Sequence, residues 1–290
     1  PSAFFNVSAP LEVSLCVLSS SSSGNCSLLS LRRGLEKCTL LIDAGLSPRR
    51  TRRHLREIGH GDERIDHILL THLDIDHWHS GWMNDRPEGT TLHLHKRHRG
   101  RADRCGATTL HTQVFDSGPF EPVQGVRVQP LLVAHDDLGT AAFLFEFTES
   151  GRTLGYATDT GRPTQELCDH LQAVDVLAIE SNYCPKMQLA SNRPDFLKQR
   201  IMGGKGHLSN QESARAVARM APRETVVLLH LSRQCNQPQV AQEAHAGHGA
   251  SLVVSSPDEP TTWIKVVDPS KHRRGEVTTL LRPGTTLWNA

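Results

Sequence analysis

The 290-residue chain is most informative first for what it lacks. No apolar stretch approaches the ~20 residues needed to cross a bilayer, so nothing in it reads as a membrane span. Its 32 Lys and Arg offset 31 Asp and Glu to a formal charge of +1. No global field marks a polyanionic partner, and any nucleic-acid contact has to rest on local basic patches. Seven cysteines (Cys16, Cys26, Cys38, Cys105, Cys168, Cys184 and Cys235) are dispersed without a C-x-x-C pair. That argues against a structural zinc knuckle and reads as reduced, mostly buried thiols in a cytoplasmic protein. The Phe4–Phe5 start lacks a charged n-region and a long h-region, so it is a poor signal peptide. The serine run Ser19–Ser23 has no Gly-Lys-Ser/Thr after it, which excludes a phosphate loop. No repeat of short period is present.

What remains is ordinary for a globular protein, with 37% hydrophobic and 22% charged residues. The one unusual count is 17 histidines, a residue type used as metal ligand and as acid or base. Strands are predicted over 11–18, 27–31, 39–42, 65–70, 91–95, 126–134, 141–147, 152–157, 174–179 and 225–229. Helices are predicted over 48–58, 163–171, 194–201, 210–220 and 237–246. Strands come first as a meander and then alternate with helices. That order implies an α/β fold: a four-layer αββα sandwich of two mixed β-sheets flanked by helices. The reading places one domain over 11–256, with 257–290 a C-terminal extension packing on it.

The strongest local signal is Thr71-His72-Leu73-Asp74-Ile75-Asp76-His77, directly after an apolar strand. Alternate residues of an extended loop point the same way, so His72, Asp74 and Asp76 converge, with His77 turned to a neighbouring position. Nitrogen and carboxylate ligands suit zinc, and the carboxylates also admit manganese. His135, Asp159 and His230 each end an apolar strand, which gathers metal-capable side chains on one rim.

This order resembles the metallo-β-lactamase superfamily. The resemblance implies two divalent ions: His72, Asp74 and His135 on one, Asp76, His77 and His230 on the other, and Asp159 bridging. It also matches Asp43, in Leu-Ile-Asp-Ala-Gly, to a carboxylate that orients the ligand histidines. Asp74 departs from the pattern, standing where most members have histidine, and its anionic oxygen favours manganese more than an imidazole would.

Further blocks resemble the bacterial YycJ (WalJ) group within that superfamily. They are Ser20–Ser27, Leu41–Ser47, Ile179–Tyr183, Gly206–Asn210 and Leu229–Ser232. The group is regarded as DNA exonucleases with a repair role. Independently, Ser209 and Glu212 form a capping box opening a helix. His207 then lies just outside a helix N-terminus, where backbone N–H groups favour a phosphate that includes Ser209 and Asn210 in its surroundings. There it is suited to protonate a leaving oxygen, with Glu180 orienting it. The transfer-RNA 3′-processing nucleases show a similar Glu and His pairing, but no long Gly/Pro-rich arm for clamping transfer RNA interrupts this chain. Asn25 and Asn182 are able either to donate to a substrate oxygen or to satisfy loop backbone.

Basic residues cluster at Arg49, Arg50, Arg52, Arg53 and Arg56, and again at Lys96, Arg97, Arg99, Arg101 and Arg104. Lys186, Arg193, Lys198, Arg200 and Lys205 flank the His207 segment more loosely. Such cations suit a phosphate backbone, and nothing among them reads bases. The expectation is therefore metal-dependent phosphodiester hydrolysis on nucleic acid, DNA more than RNA, by a sequence-independent 5′–3′ exonuclease. Asp76, His207 and Glu180 are its catalytic residues. Two rivals use the same ligands: a metallo-hydrolase of a small-molecule ester, thioester or cyclic phosphodiester, and a non-catalytic metal-dependent nucleic-acid-binding protein.

Overall fold

The computed structural model describes residues 9–61, 64–85, 88–135 and 137–271. Its first sheet is built from β1 (Leu11–Ser19), β2 (Cys26–Arg33), β3 (Glu36–Ile42), β4 (His67–Leu69), β5 (Thr91–His95) and β6 (His111–Phe115). The second contains β7 (Phe120–Val123), β8 (Val126–Val133), β9 (Thr140–Phe147), β10 (Arg152–Ala157), β11 (Val176–Glu180), β12 (Thr225–Leu229) and β13 (Ser251–Val254). A last strand, β14 (Ile264–Val267), returns to the first sheet, so the orders are 14-1-2-3-4-5-6 and 13-12-11-10-9-8-7.

Each sheet is antiparallel at one end and parallel at the other. The β1–β2–β3 pairs are antiparallel, whereas β3 to β6 run parallel. In the second sheet β8, β9 and β10 alternate, and β10 to β13 run parallel. Parallel neighbours end on the same side, so β3, β4, β8, β10, β11 and β12 all deliver the residues that follow them to one rim.

The strands are buried on both faces, which is why they read as nearly continuous apolar runs. Alternate residues divide between layers. Leu29, Leu31, Leu40, Ile42, Phe143, Phe145, Ala178, Val227 and Leu229 fill the space between the sheets. Leu28, Leu41, Ile68, Leu92 and Leu94 face outward under α1 (Pro48–Glu57) and α2 (Arg99–Arg104), with Leu55, Trp82 and Ala102. Leu144, Leu177, Ile179, Val226 and Leu228 do the same under α3 (Gln165–His170), α6 (Asn210–Met220) and α7 (Pro238–Ala244), meeting Leu167, Val217 and Met220. Between them in sequence, α4 (Pro185–Ala190) and α5 (Asp195–Met202) form a smaller cluster with Tyr183, Ile201 and Cys235. This is the four-layer sandwich expected from the sequence.

Local chemistry sets the element ends. Ser47 caps α1, its hydroxyl accepting from the Arg50 N–H at 3.3 Å, and Pro48 occupies the first turn, where its missing donor costs nothing. The Ser209–Glu212 capping box opens α6 in both directions. The strand over 65–70 is shorter than expected. Asp66 instead spends its carboxylate on the Thr39 N–H at 2.9 Å, leaving only His67–Leu69 in the ladder. Strand β6 carries mostly exposed residues, so it gave no apolar signal.

Of the expected C-terminal extension, β14 pairs antiparallel with β1, Val13 opposite Val267 and Leu15 opposite Ile264; residues 272–290 lie outside the described residues, as does the Phe4–Phe5 start. All seven cysteines are free thiols and only Cys105 is exposed. Among the described residues no helix is long and apolar enough to cross a membrane.

Candidate metal centre

The rim brings the motif histidines and carboxylates to one buried place. His72, His77 and Asp159 offer ligand atoms within 4.8 Å of one another, as do His72, Asp74 and His135, and as do Asp159, Glu180, His207 and His230. Asp159 is at the centre. Its carboxylate lies 2.8 Å from His77 Nε2, 2.9 Å from His230 Nδ1, 3.3 Å from His207 Nδ1 and 3.9 Å from His135 Nε2. Asp76 Oδ2 is 3.6 Å from both His77 Nε2 and His230 Nε2.

Three of the rim residues hold a left-handed backbone without being glycine: Asp43 at φ 61°, Asp159 at φ 50° and His230 at φ 57°. Asp43 and His230 directly follow β3 and β12, and Asp159 lies two residues past the end of β10; the turn swings each side chain out of the sheet into the site. Such a conformation costs of order 1 kcal/mol or more per residue and persists only where the surroundings enforce it.

Three of the rings are oriented through the nitrogen they do not point at the centre. His77 Nδ1 donates to Asp43 Oδ2 at 2.7 Å. Thr71 donates its hydroxyl to the Asp43 carboxylate at 2.9 Å and stands 3.0 Å from His72 Nδ1, from which it accepts. His135 Nδ1 donates to the Gly206 carbonyl at 3.0 Å. All three therefore present Nε2 inward, as metal-ligating imidazoles do. Thr71 was part of the motif, yet only this relay reveals its task.

The loop that carries Asp76 is itself locked. Asn25 N–H donates to the Asp76 carbonyl at 2.7 Å, and the Asn25 amide nitrogen reaches 3.0 Å from His77 Nε2 and 3.3 Å from Asp76 Oδ2. Ser20 joins the halves of the rim, donating to Asn25 Oδ1 and accepting from the His230 N–H at 2.8 Å. A Cβ on Gly45 would lie 1.7 Å from the Asp76 carbonyl oxygen, so only glycine lets the two chains approach.

The other residues expected around substrate are held in the same framework. Asn182 donates to the His230 carbonyl at 2.7 Å, Ser209 serves the helix cap, and Asn210 is paired with Ser181 and Asn236. All are buried with Asn25.

The electrostatics fit divalent cations. His72 is neutral: burial, with His77 beside it, holds its pKa well below the ordinary range. Burial acts the same way on His77, but Asp159, Asp43 and Asp76 outweigh it and hold that pKa well above the ordinary range. Asp159 is desolvated, and His230 and His77 more than offset this, keeping it ionised. The buried carboxylates thus stay ionised and favour positive charge beside them. His72 Nε2 is buried without a hydrogen bond among the described residues, and neither ring nitrogen of His230 makes a well-directed one despite the short approach to Asp159. Buried polar atoms left so are rare, and a cation between these rings and carboxylates would satisfy them.

Glu180 and His207 adjoin this cluster. Glu180 is fully buried at the end of β11. It accepts from His207 Nδ1 at 2.7 Å and from the Thr160 N–H at 2.8 Å. His207 keeps 21% of its side chain exposed, so its other nitrogen remains open to the cleft.

Most members of the two basic clusters already have anionic partners. Arg50 meets Asp258, Arg52 meets Asp85 and Arg53 meets Glu57. Lys96 meets Asp116, Arg99 meets Asp103, and Arg101 Nη1 lies 2.7 Å from Asp74 Oδ1.

Known proteins resemble this chain in sequence and in fold. Residues 39–231 match the family described as beta-lactamase superfamily domain. Exodeoxyribonuclease WalJ of Streptococcus pneumoniae is 28% identical over 271 residues, covering 86% of this chain and 97% of that protein. Exodeoxyribonuclease YycJ of Bacillus anthracis is 26% identical over 230 residues, covering 78% and 85%. Among solved structures, Zn(2+)-bound PqqB from Methylobacterium extorquens superposes with a TM-score of 0.62 at 18% identity, over 85% of this chain and 99% of that one. The metallo-beta-lactamase fold protein YhfI from Bacillus subtilis gives 0.60 at 14% identity, over 86% and 99%. With a family match spanning the motif loop through His230, on a sandwich whose rim is built to take divalent cations, the chain belongs to the beta-lactamase superfamily as a metal-dependent hydrolase of the metallo-β-lactamase fold.

Proposed function

We propose that this hydrolase is a sequence-independent DNA exonuclease, working 5′ to 3′ in DNA repair with two divalent ions, Zn or Mn. His72, Asp74 and His135 would hold one ion, Asp76, His77 and His230 the other, with Asp159 between them. When bound, such ions supply an activated water and neutralise charge on phosphoryl oxygens.

The observation that carries the reading is the Glu180–His207 pair beside that centre. Simple ester or thioester hydrolysis has less need of a second, separately oriented acid, whereas expelling an alkoxide from phosphorus gains from a proton donor. Burial lowers the His207 pKa, but Glu180 and Asp159 reverse this and raise it to about 10. The imidazolium therefore holds its proton at neutral pH, with Nδ1 fixed on Glu180 and Nε2 as the donor to the departing oxygen. Asp76, partly exposed at the mouth, holds or deprotonates the attacking water. Asn25, Asn182, Ser209 and Asn210 serve the substrate from behind, by keeping the rim in register. The names of the two exodeoxyribonuclease relatives support DNA as the substrate.

The test is cleavage of end-labelled single- and double-stranded DNA and RNA by manganese- and zinc-loaded protein, beside Asp76→Asn. Shortening from the 5′ end of DNA, absent in the variant, is the expected result. Intact polymers together with turnover of short esters would overturn it.

A further inference from the structure

The segment between Glu180 and His207 carries none of the proposed metal ligands. It is a helical hairpin, α4 and α5 joined by residues 191–194, inserted where the chain leaves the second sheet. Its composition departs from that of the whole protein. Lys186, Arg193, Lys198, Arg200 and Lys205 face a single carboxylate, Asp195, giving this stretch a charge of +4 where the entire chain carries +1.

Its surface is equally unusual. Leu189 is 62% exposed and Phe196 is 73% exposed, one on each side of the connecting turn. The hairpin is nonetheless a built element. Lys198 Nζ closes the end of α4 by donating to the Leu189 carbonyl at 2.9 Å, and Arg193 donates to Gln188 and Gln234. Met187, Leu197 and Met202 pack beneath it on Tyr183, Ile201 and Cys235. The core of the hairpin is thus satisfied by its own apolar residues, and Leu189 and Phe196 are surplus to it. Lys186, Arg200 and Lys205 have no ion pair among the described residues.

The hairpin is also tied to the centre. The His207 N–H donates to the Ile201 carbonyl at 3.1 Å, and Arg162, three residues after Asp159, donates to the Gly203 carbonyl at 3.4 Å. Its C-terminal leg therefore runs from the tip directly to the residue that faces the leaving group.

We propose that the α4–α5 hairpin is the arm that holds the DNA strand, as an unpaired, single-stranded segment. Lys186, Arg200 and Lys205 take phosphates, and Phe196 with Leu189 gives unpaired bases an apolar face on which to stack. Cations that follow a backbone, interleaved with an exposed aromatic, are the means by which proteins hold single strands without reading sequence. The charge excludes an apolar peptide as the natural occupant. This inference rests on the nuclease reading and deepens it.

The experiment uses the full chain carrying Asp76→Asn, so that DNA survives, and measures binding of a fluorescein-labelled 20-nucleotide oligothymidine by anisotropy over a salt series. Phe196→Ala is expected to weaken binding about fivefold or more. The triple change Lys186→Gln, Arg200→Gln and Lys205→Gln is expected to reduce the slope of log affinity against log salt by about 2. In the catalytically intact background, the same variants should hydrolyse bis(p-nitrophenyl) phosphate at the parent rate, which separates the arm from the chemistry and from misfolding. Unchanged DNA affinity and salt slope in both variants would overturn the arm while leaving the nuclease intact. A parent that turns over the small diester yet neither binds nor cuts DNA would overturn the nuclease reading itself. A dimer of the parent in light scattering that Phe196→Asp dissociates, with DNA affinity unmoved, would assign the face to a second copy and overturn the proposal.

Discussion

Arg101 Nη1 stands 2.7 Å from Asp74 Oδ1, while the other oxygen of Asp74 lies 3.8 Å from His72 Nε2. The anion in the motif loop thus arrives with its own counter-ion, drawn from α2 in a different part of the chain. The pair is neutral as a unit, as an imidazole would be, and one carboxylate oxygen stays turned toward the ligand histidine.

This arrangement makes a signed prediction. Asp74→His alone removes the carboxylate 2.7 Å from Arg101 and should weaken Mn²⁺ binding about tenfold, because an anion beside the dication is lost while the nearby guanidinium stays. Adding Arg101→Gln should restore most of the loss. Calorimetry with Mn²⁺ on the parent, both single variants and the double variant measures the coupling, and strictly additive effects would rule it out.

Asp43 is buried and holds His77 directly and His72 through Thr71. Asp43→Asn keeps the shape but removes the charge that fixes both tautomers. Metal affinity should fall by about 10–100-fold, and Thr71→Val should fall in the same direction by less. Metal content after dialysis against a graded chelator reads this out; parent-like retention in Asp43→Asn would show that the relay does not govern the ligands.

His207→Asn should lower kcat on DNA by about 100-fold or more while leaving metal content at the parent value. Glu180→Gln should follow it, and the double variant should be little worse than either single one, since both act through the same proton. If metal is lost from His207→Asn, His207 belongs among the ligands.

Gly45→Ala forces a methyl group against the Asp76 carbonyl and the Asn25 N–H. The ligand loop has to move, so destabilisation of about 3 kcal/mol or more is expected, along with loss of bound metal. Thermal melting with and without Mn²⁺ tests it, and a melting temperature close to the parent's would show that the loop yields at low cost.

Away from the centre, His93 stacks on Phe120 and meets His67 across 3.1 Å. Burial, with His67 and His111 nearby, lowers its pKa to about 3. The folded imidazole stays neutral, whereas the unfolded one takes up a proton near pH 6.5. Its contribution to stability is therefore complete above about pH 6.5 and is lost as pH falls toward 3, by up to about 1.4 kcal/mol per unit. Stability of the parent should drop more steeply than that of His93→Gln between about pH 6.5 and 4.5. Parallel curves in chemical denaturation would contradict this.

What the sequence made legible was local or periodic. Runs such as Val226 to Leu229 announced strands, Pro48 and Ser209 announced helix starts, and strand ends located the rim to which the structure brings His72, His135, Asp159 and His230. What escaped were pairings between distant parts of the chain with no pattern of their own. Arg101 looked like one cation in a surface run, and its partner in the ligand loop is fixed only by how α2 packs beside β5. Strands β6 and β7 lie at sheet edges and bury only one residue each, Phe115 and Val123, so burial left no periodic mark on them. The amides of Asn25 and Asn182 were compatible with two roles, and only their buried partners show which bonds they make.

The closure of the first sheet by β14 bears on how the protein is made. During synthesis β1 emerges long before β14, so its outer edge stays unpaired until β14 follows. A product ending before residue 264 would retain every proposed ligand and still expose the backbone of Val13 to Leu15 as a template for another strand. Chaperone demand and aggregation of truncated products should therefore track the arrival of four residues that never approach the metal.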